Sequence, residues 1–142
     1  MNNTKILIAD ENLSSRAVLR DELKAQGYAN IYEASNGEEA LSMIGTVSPE
    51  IVLIDLLLSK LDGIGVIRQA RKNLGEDAPI FIVMSMLGNH NMLLEASNAG
   101  ASMCMIKPIN AESLAHHIEN LLPTNISLSN SLPEEYGMSD IE

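Results

Sequence analysis

Cysteine is nearly absent from this 142-residue chain and tryptophan entirely so. The single Cys104 excludes an internal disulfide, and no Cys/His group has zinc-site spacing. Aromatic residues make up only 3% of the chain, so the core must be aliphatic, with eight methionines to fill irregular gaps. Bases are scarce as well: 9 Lys and Arg stand against 19 Asp and Glu, for a formal charge of −10. That balance argues against direct binding to nucleic acid, whose affinity comes mostly from neutralising phosphates, and disfavours an anionic membrane surface. Divalent cations and a cationic partner patch are more natural companions. Long apolar runs are missing too. Met1 to Lys5 is followed by only a short apolar stretch before Asp10, so neither a signal peptide nor a membrane span is expected, and cytoplasmic residence is the default.

What the chain does have is 46% hydrophobic residues, enough for one domain with a real core. They fall into short strand-like runs: Ile6 to Ala9, Ile51 to Ile54, Ile80 to Met84 and Met103 to Ile106. Between them lie segments of helical period. Leu13 to Gln26 carries Ala17, Val18, Leu19 and Leu23 and is closed by Gly27 as a left-handed cap. After a weak strand, Asn30 to Ala34, Ser35-Asn36-Gly37 opens a second helix with Ala40, Leu41, Ile44 and Val47 on one face, ending at Ser48-Pro49. Asp62-Gly63 precedes a third helix with Ile64, Ile67, Ala70 and Leu74, Asn89 to Ala99 forms a fourth, and Asn110 caps a fifth with Leu114, Ile118, Leu121 and Leu122. Strict alternation predicts an α/β fold, a (βα)5 flavodoxin-like three-layer sandwich whose parallel sheet has the order 2-1-3-4-5. Residues 1–122 form this domain. Residues 123–142, rich in Ser, Asn, Pro and acid and without a base, read as an acidic polar tail or the start of an interdomain linker.

Asp10, Glu11, Asp55, Ser85 and Lys107 each fall at or just past the carboxyl end of a predicted strand. In open parallel sheets that edge is where ligands bind. Two carboxylates about 4 Å apart repel by on the order of 4 kcal/mol at an effective dielectric near 20, so such a cluster calls for a cation. Hard oxygen ligands suit Mg²⁺, which takes its remaining ligands from water and phosphoryl oxygens. Lys107 supplies a point charge for a phosphoryl oxygen and Ser85 a hydroxyl donor. Asp55, ending a central strand, is the best-placed nucleophile. Taken singly, Asp10 and Glu11 also read as solvated loop acids and Lys107 as a surface charge. Cys104 reads as a small core residue, His116 and His117 as surface or partner-facing, and His90 as a loop residue.

From Lys5 to Leu122 the chain resembles the receiver domains of two-component response regulators. The matching pieces are Lys5 to Asn12, Pro49 to Asp55, Leu61-Asp62-Gly63, Pro79 to Ser85, and Gly100-Ala101 through Ile106-Lys107-Pro108. The resemblance implies that Asp55 takes a phosphoryl group from a phosphohistidine on a sensor histidine kinase or histidine phosphotransfer protein. It further implies that Asp10, Glu11, Asp55 and the backbone carbonyl of Leu57 arrange Mg²⁺, that Ser85 and Lys107 sense the phosphoryl oxygens, and that the bond before Pro108 is cis. Beyond self-phosphorylation and slow autodephosphorylation no enzyme activity is implied.

Several positions depart from the pattern. Glu11 stands for the commoner Asp, Ser85 for Thr, Met86 for a small residue beside the phosphoryl site, and Ser59 for Pro. Cys104 replaces the Tyr or Phe that swings inward on activation. Residues 100–108, with His117-Ile118, look similar to receivers of the sporulation master regulator. That similarity implies a linker to a DNA-binding output domain outside this chain, and a stand-alone phosphate relay is the other reading. A homodimer on phosphorylation would need a face other than the charge-paired one, since no Lys or Arg lies between Lys72 and Lys107 or after Lys107. Two other functions stay open: a pseudo-receiver, acting as a non-phosphorylated interaction module, and an aspartyl phosphatase, for which Leu57 occupies the position of the second Asp.

Overall fold

Alternate residues along each strand feed two different cores, and this period-two split decides the architecture. The computed structural model describes residues 2–86 and 90–123. Five strands, β1 (Asn2–Ala9), β2 (Tyr28–Ala34), β3 (Ile51–Asp55), β4 (Ile80–Ser85) and β5 (Met103–Ile106), alternate with five helices, α1 (Leu13–Ala25), α2 (Gly37–Val47), α3 (Gly63–Leu74), α4 (His90–Ala99) and α5 (Ala111–Leu121). The strands form one parallel sheet in the order β2-β1-β3-β4-β5. Leu7, Ala9, Val52, Ile54, Phe81 and Val83 pack with residues of α2, α3 and α4, among them Ala40, Ile44, Val66, Ile67 and Ala96. Their neighbours Ile6, Ile8, Ile51, Leu53, Ile82 and Met84 pack with Leu19, Leu23, Leu114 and Ile118 of α1 and α5. β3 and β4, and β1 from Ile6 on, are therefore apolar at nearly every position, as strands covered on both faces must be.

The helix starts follow local chemistry. Asn12, Asn36, Asp62 and Asn110 each accept a hydrogen bond from the backbone N–H three residues on, the N-cap arrangement. At α2 the cap is doubled, because the Glu39 carboxylate reaches back to both the amide and the hydroxyl of Ser35. Gly27 takes φ +101 after α1, as its reading as a left-handed cap requires.

Some details differ from the sequence-based expectation. β2 begins at Tyr28, two residues early, because burying that ring against α5 extends the strand; its hydroxyl donates to the Ala115 carbonyl. Val18 is exposed, off the inner face of α1. Leu19 and Leu23, one turn apart, supply that face, and a helix step of about 100° carries Val18 off it. α4 is described from His90, so its expected start at Asn89 lies outside the described residues, as does the tail from 124 onward. No helix among the described residues is long and apolar enough to cross a membrane.

Candidate functional site

Sheet register brings the predicted residues to one edge. Ala9 pairs with Ile54, so Asp10 and Asp55, each one residue further on, end adjacent strands at the same level. Asp55 pairs with Met84 and Ser85 with Ile106, which sets Ser85 and Lys107 one step out along the next two strands. The two aspartates are held in the same way. Oδ1 of Asp10 accepts from the Asn12 N–H at 2.9 Å, and Oδ1 of Asp55 from the Leu57 N–H at 2.9 Å. Both Oδ2 atoms accept from Lys107 Nζ at 2.7 Å, so one ammonium bridges the pair. The three side chains are nearly enclosed, with exposures of 6% for Asp10, 15% for Asp55 and 16% for Lys107. Burial alone would lower the Lys107 pKa, but the hydrogen bonds and attraction from Asp10 and Asp55 outweigh it and the net shift is upward. Lys107 is therefore a fixed positive charge at neutral pH. Its own amide donates to the Ser85 carbonyl at 2.8 Å, and its bond to Pro108 is cis.

Ser85, the last residue of β4, is buried at this edge. Glu11 is placed differently. Its carboxylate accepts from the main-chain N–H of Ser59, in the loop after β3. Among the described residues, no three His, Cys, Asp or Glu side chains stand close enough together to hold a metal. The arrangement thus brings Asp10, Asp55 and Lys107 into contact and keeps Glu11 to one side. The donor set still fits Mg²⁺: two neighbouring carboxylates already share a cation, and hard oxygens are the ligands that ion takes.

A family model for the response regulator receiver domain matches residues 6–119. The chain belongs to that family. The receiver domain is 34% identical over 122 residues to the probable transcriptional regulator ycf27 of Cyanophora paradoxa, covering 86% of this chain and 49% of that protein. It is 30% identical over 119 residues to the chemotaxis protein CheY of Bacillus subtilis, covering 83% of this chain and 97% of that protein. Among solved structures, the receiver domain of the Francisella response regulator 1452 superposes with a TM-score of 0.75 at 25% identity, over 82% of this chain and 94% of that one. A two-component response regulator from Clostridium difficile gives 0.74 at 27% identity, over 82% and 93%. The chain spans about half the length of the ycf27 relatives it matches.

Sequence reasoning missed one support of the site. Arg16 Nη1 donates to the Asp10 carbonyl at 2.7 Å, while its Nε and Arg20 Nη1 both bind the Glu33 carboxylate. Burial would raise the Glu33 pKa, but the hydrogen bonds from Arg20 and Arg16 prevail and lower it. The signal was present: two arginines four apart on one helix face, and one acid in an otherwise weak strand.

The Cys104 reading is met in part. The thiol is half-buried against the α2–α4 core, and burial pushes its pKa up to about 11, so it stays protonated at neutral pH. Met86 is 71% exposed and, with Val18, Glu22 and Ile109, lines a cavity of about 500 Å³ between α1 and the segment after β5.

The pair His116-His117 needs correcting. His116 is exposed, but His117 is only 8% exposed and belongs to the inner face of α5, one residue before Ile118. Burial, and secondarily the neighbouring His116, lowers its pKa. A histidine with a lowered folded-state pKa leaves stability unaffected above the unfolded value near 6.5. Below it, stability falls with pH, because the unfolded chain binds the proton more readily. Urea midpoints measured from pH 7.5 to 5.0 should therefore decline less in His117→Gln than in the parent. Equal slopes would refute the assignment.

Proposed function

We propose that this receiver domain accepts a phosphoryl group on Asp55 from a phosphohistidine of a sensor histidine kinase or histidine phosphotransfer protein, in an Mg²⁺-dependent reaction. The observation that carries this reading is the shared ammonium: Lys107 Nζ lies 2.7 Å from both Asp10 and Asp55. An Asp55 oxygen attacks phosphorus, the P–N bond to the donor imidazole breaks, and the electron pair leaves with the ring. Lys107 then has a phosphoryl oxygen to bind in place of the free carboxylate, and the Ser85 hydroxyl donates to another. Asp10, Glu11, Asp55 and the Leu57 carbonyl would hold Mg²⁺, which when bound neutralises charge on the transferring oxygens.

Phosphorylation then acts by population shift, favouring the state in which Ser85 and Lys107 bind the phosphoryl oxygens. Slow hydrolysis of the aspartyl phosphate resets the switch. Leu13, Val18, Leu57, Met86 and Ile106 are exposed apolar residues on the segments bordering this edge, and they support docking of a partner beside Asp55. The ycf27 relatives, transcriptional regulators of about twice the matched length, support transcription control through an output domain, and CheY, matched over 97% of its length, supports a stand-alone receiver instead. Either role is cytoplasmic, where the phosphohistidine donor is made.

A small-molecule phosphoryl donor with Mg²⁺ tests the reading by intact-mass measurement. One phosphoryl adduct, labile to hydrolysis and lost in Asp55→Asn, is expected. No adduct with any donor would make the chain a non-phosphorylated interaction module, and steady multiple turnover would make it a phosphatase.

A further inference from the structure

Two departures from the family pattern, Glu11 for Asp and Ser59 for Pro, meet in the structure: the Ser59 main-chain N–H donates to Glu11 Oε2. Neither would serve without the other. A proline at 59 has no N–H to give, and an aspartate at 11 is one methylene shorter. The bond ties the loop between β3 and α3 to the end of β1. On its other side, the Ser59 carbonyl accepts from Gly37 N at 3.1 Å and Leu61 N at 2.7 Å, so the loop is strung between Glu11 and the first residue of α2. Asp10 and Asp55 are each held at both oxygens by their own turn and by Lys107, whereas Glu11 faces the loop.

We propose that Glu11 and Ser59 form a latch that a divalent cation has to open. The carboxylate serves either the Ser59 amide, pinning the loop that follows Asp55, or the metal. Cation capture is thereby coupled to release of that loop, and part of the binding free energy is spent on breaking the latch. The inference rests on the reading of Glu11 as a metal-facing acid.

Mg²⁺ alone is the probe, titrated by calorimetry and by amide NMR on the unphosphorylated protein. Ser59→Pro, which deletes the N–H, is expected to bind Mg²⁺ about tenfold more tightly, the size of one hydrogen bond to a charged group. Ser59→Ala keeps the amide and is expected to match the parent. In a Glu11→Asp background, Ser59→Pro adds little, because the latch is already gone. In the parent the Ser59 amide is protected from exchange without Mg²⁺ and loses that protection with it, a measurement that needs no variant to fold. Equal affinities in the parent, Ser59→Ala and Ser59→Pro, or Ser59 protection unchanged by Mg²⁺, overturn the latch and leave the phosphoacceptor reading standing. Absence of Mg²⁺ binding in all of them overturns both.

Discussion

Lys107→Ala is expected to lose about 3 kcal/mol of stability in metal-free buffer, the scale for removing one partner of a buried charge pair. In a domain of this size that is a fall in melting midpoint of about 10 °C. The cause is specific. Asp10 and Asp55 end adjacent strands, nearly enclosed, and Lys107 Nζ is the cation that joins them. Without it two carboxylates face one another in a poorly solvated edge. Two checks isolate this from simple loss of packing. Adding Asp55→Asn to Lys107→Ala should recover most of the loss, because the repulsion needs both charges. Millimolar Mg²⁺ should raise the midpoint of Lys107→Ala more than that of the parent, and less once Asp55 is replaced by Ala. A Lys107→Ala protein within 0.5 kcal/mol of the parent, about the scatter of ordinary surface changes, would sink the account.

The second large effect lies at α2, where two glycines separate cleanly. A Cβ on Gly37 would sit 1.7 Å from the Leu61 carbonyl oxygen, a backbone atom that no rotamer change can move. Gly37→Ala is expected to cost at least about 3 kcal/mol, at the upper end of overpacking penalties. It also pushes on the loop that carries Ser59 and breaks the Gly37 N to Ser59 carbonyl bond. Gly45, in the same helix, has nothing within 4 Å of its virtual Cβ and is exposed. Gly45→Ala should instead stabilise by about 0.5–1 kcal/mol through helix propensity. Denaturant unfolding of the two variants side by side gives shifts of opposite sign. Shifts of the same sign would show that close approach to the loop is not what Gly37 provides.

Much of this was legible beforehand, for reasons that are local. The runs Ile51 to Ile54 and Ile80 to Met84 are too short for helices and too uniformly apolar for surface strands, so they had to lie in a doubly covered sheet. Asn36, Asp62 and Asn110 announce helix starts through their own side-chain chemistry. The candidate residues could be placed together because the fold class turns the ends of strands into one edge, which brings Asp10, Asp55, Ser85 and Lys107 to it without any long-range information. His117 was misjudged because a single-residue step around a helix separates core from solvent, and only packing fixes the helix rotation.

Composition and order in the chain alone determined an aliphatic parallel sheet with one acidic edge and a lysine to answer it, since those follow from apolar period, caps and strand ends. Tertiary structure decided how the charges are shared. Lys107 bridges Asp10 to Asp55, Arg16 braces the Asp10 carbonyl from α1, and Glu11 turns to Ser59 rather than to its fellow acids. The Lys107 and Glu11 contacts depend on which donors reach a given oxygen across 48 to 97 residues of sequence separation. Distance in space governs them, and no pattern along the chain encodes it.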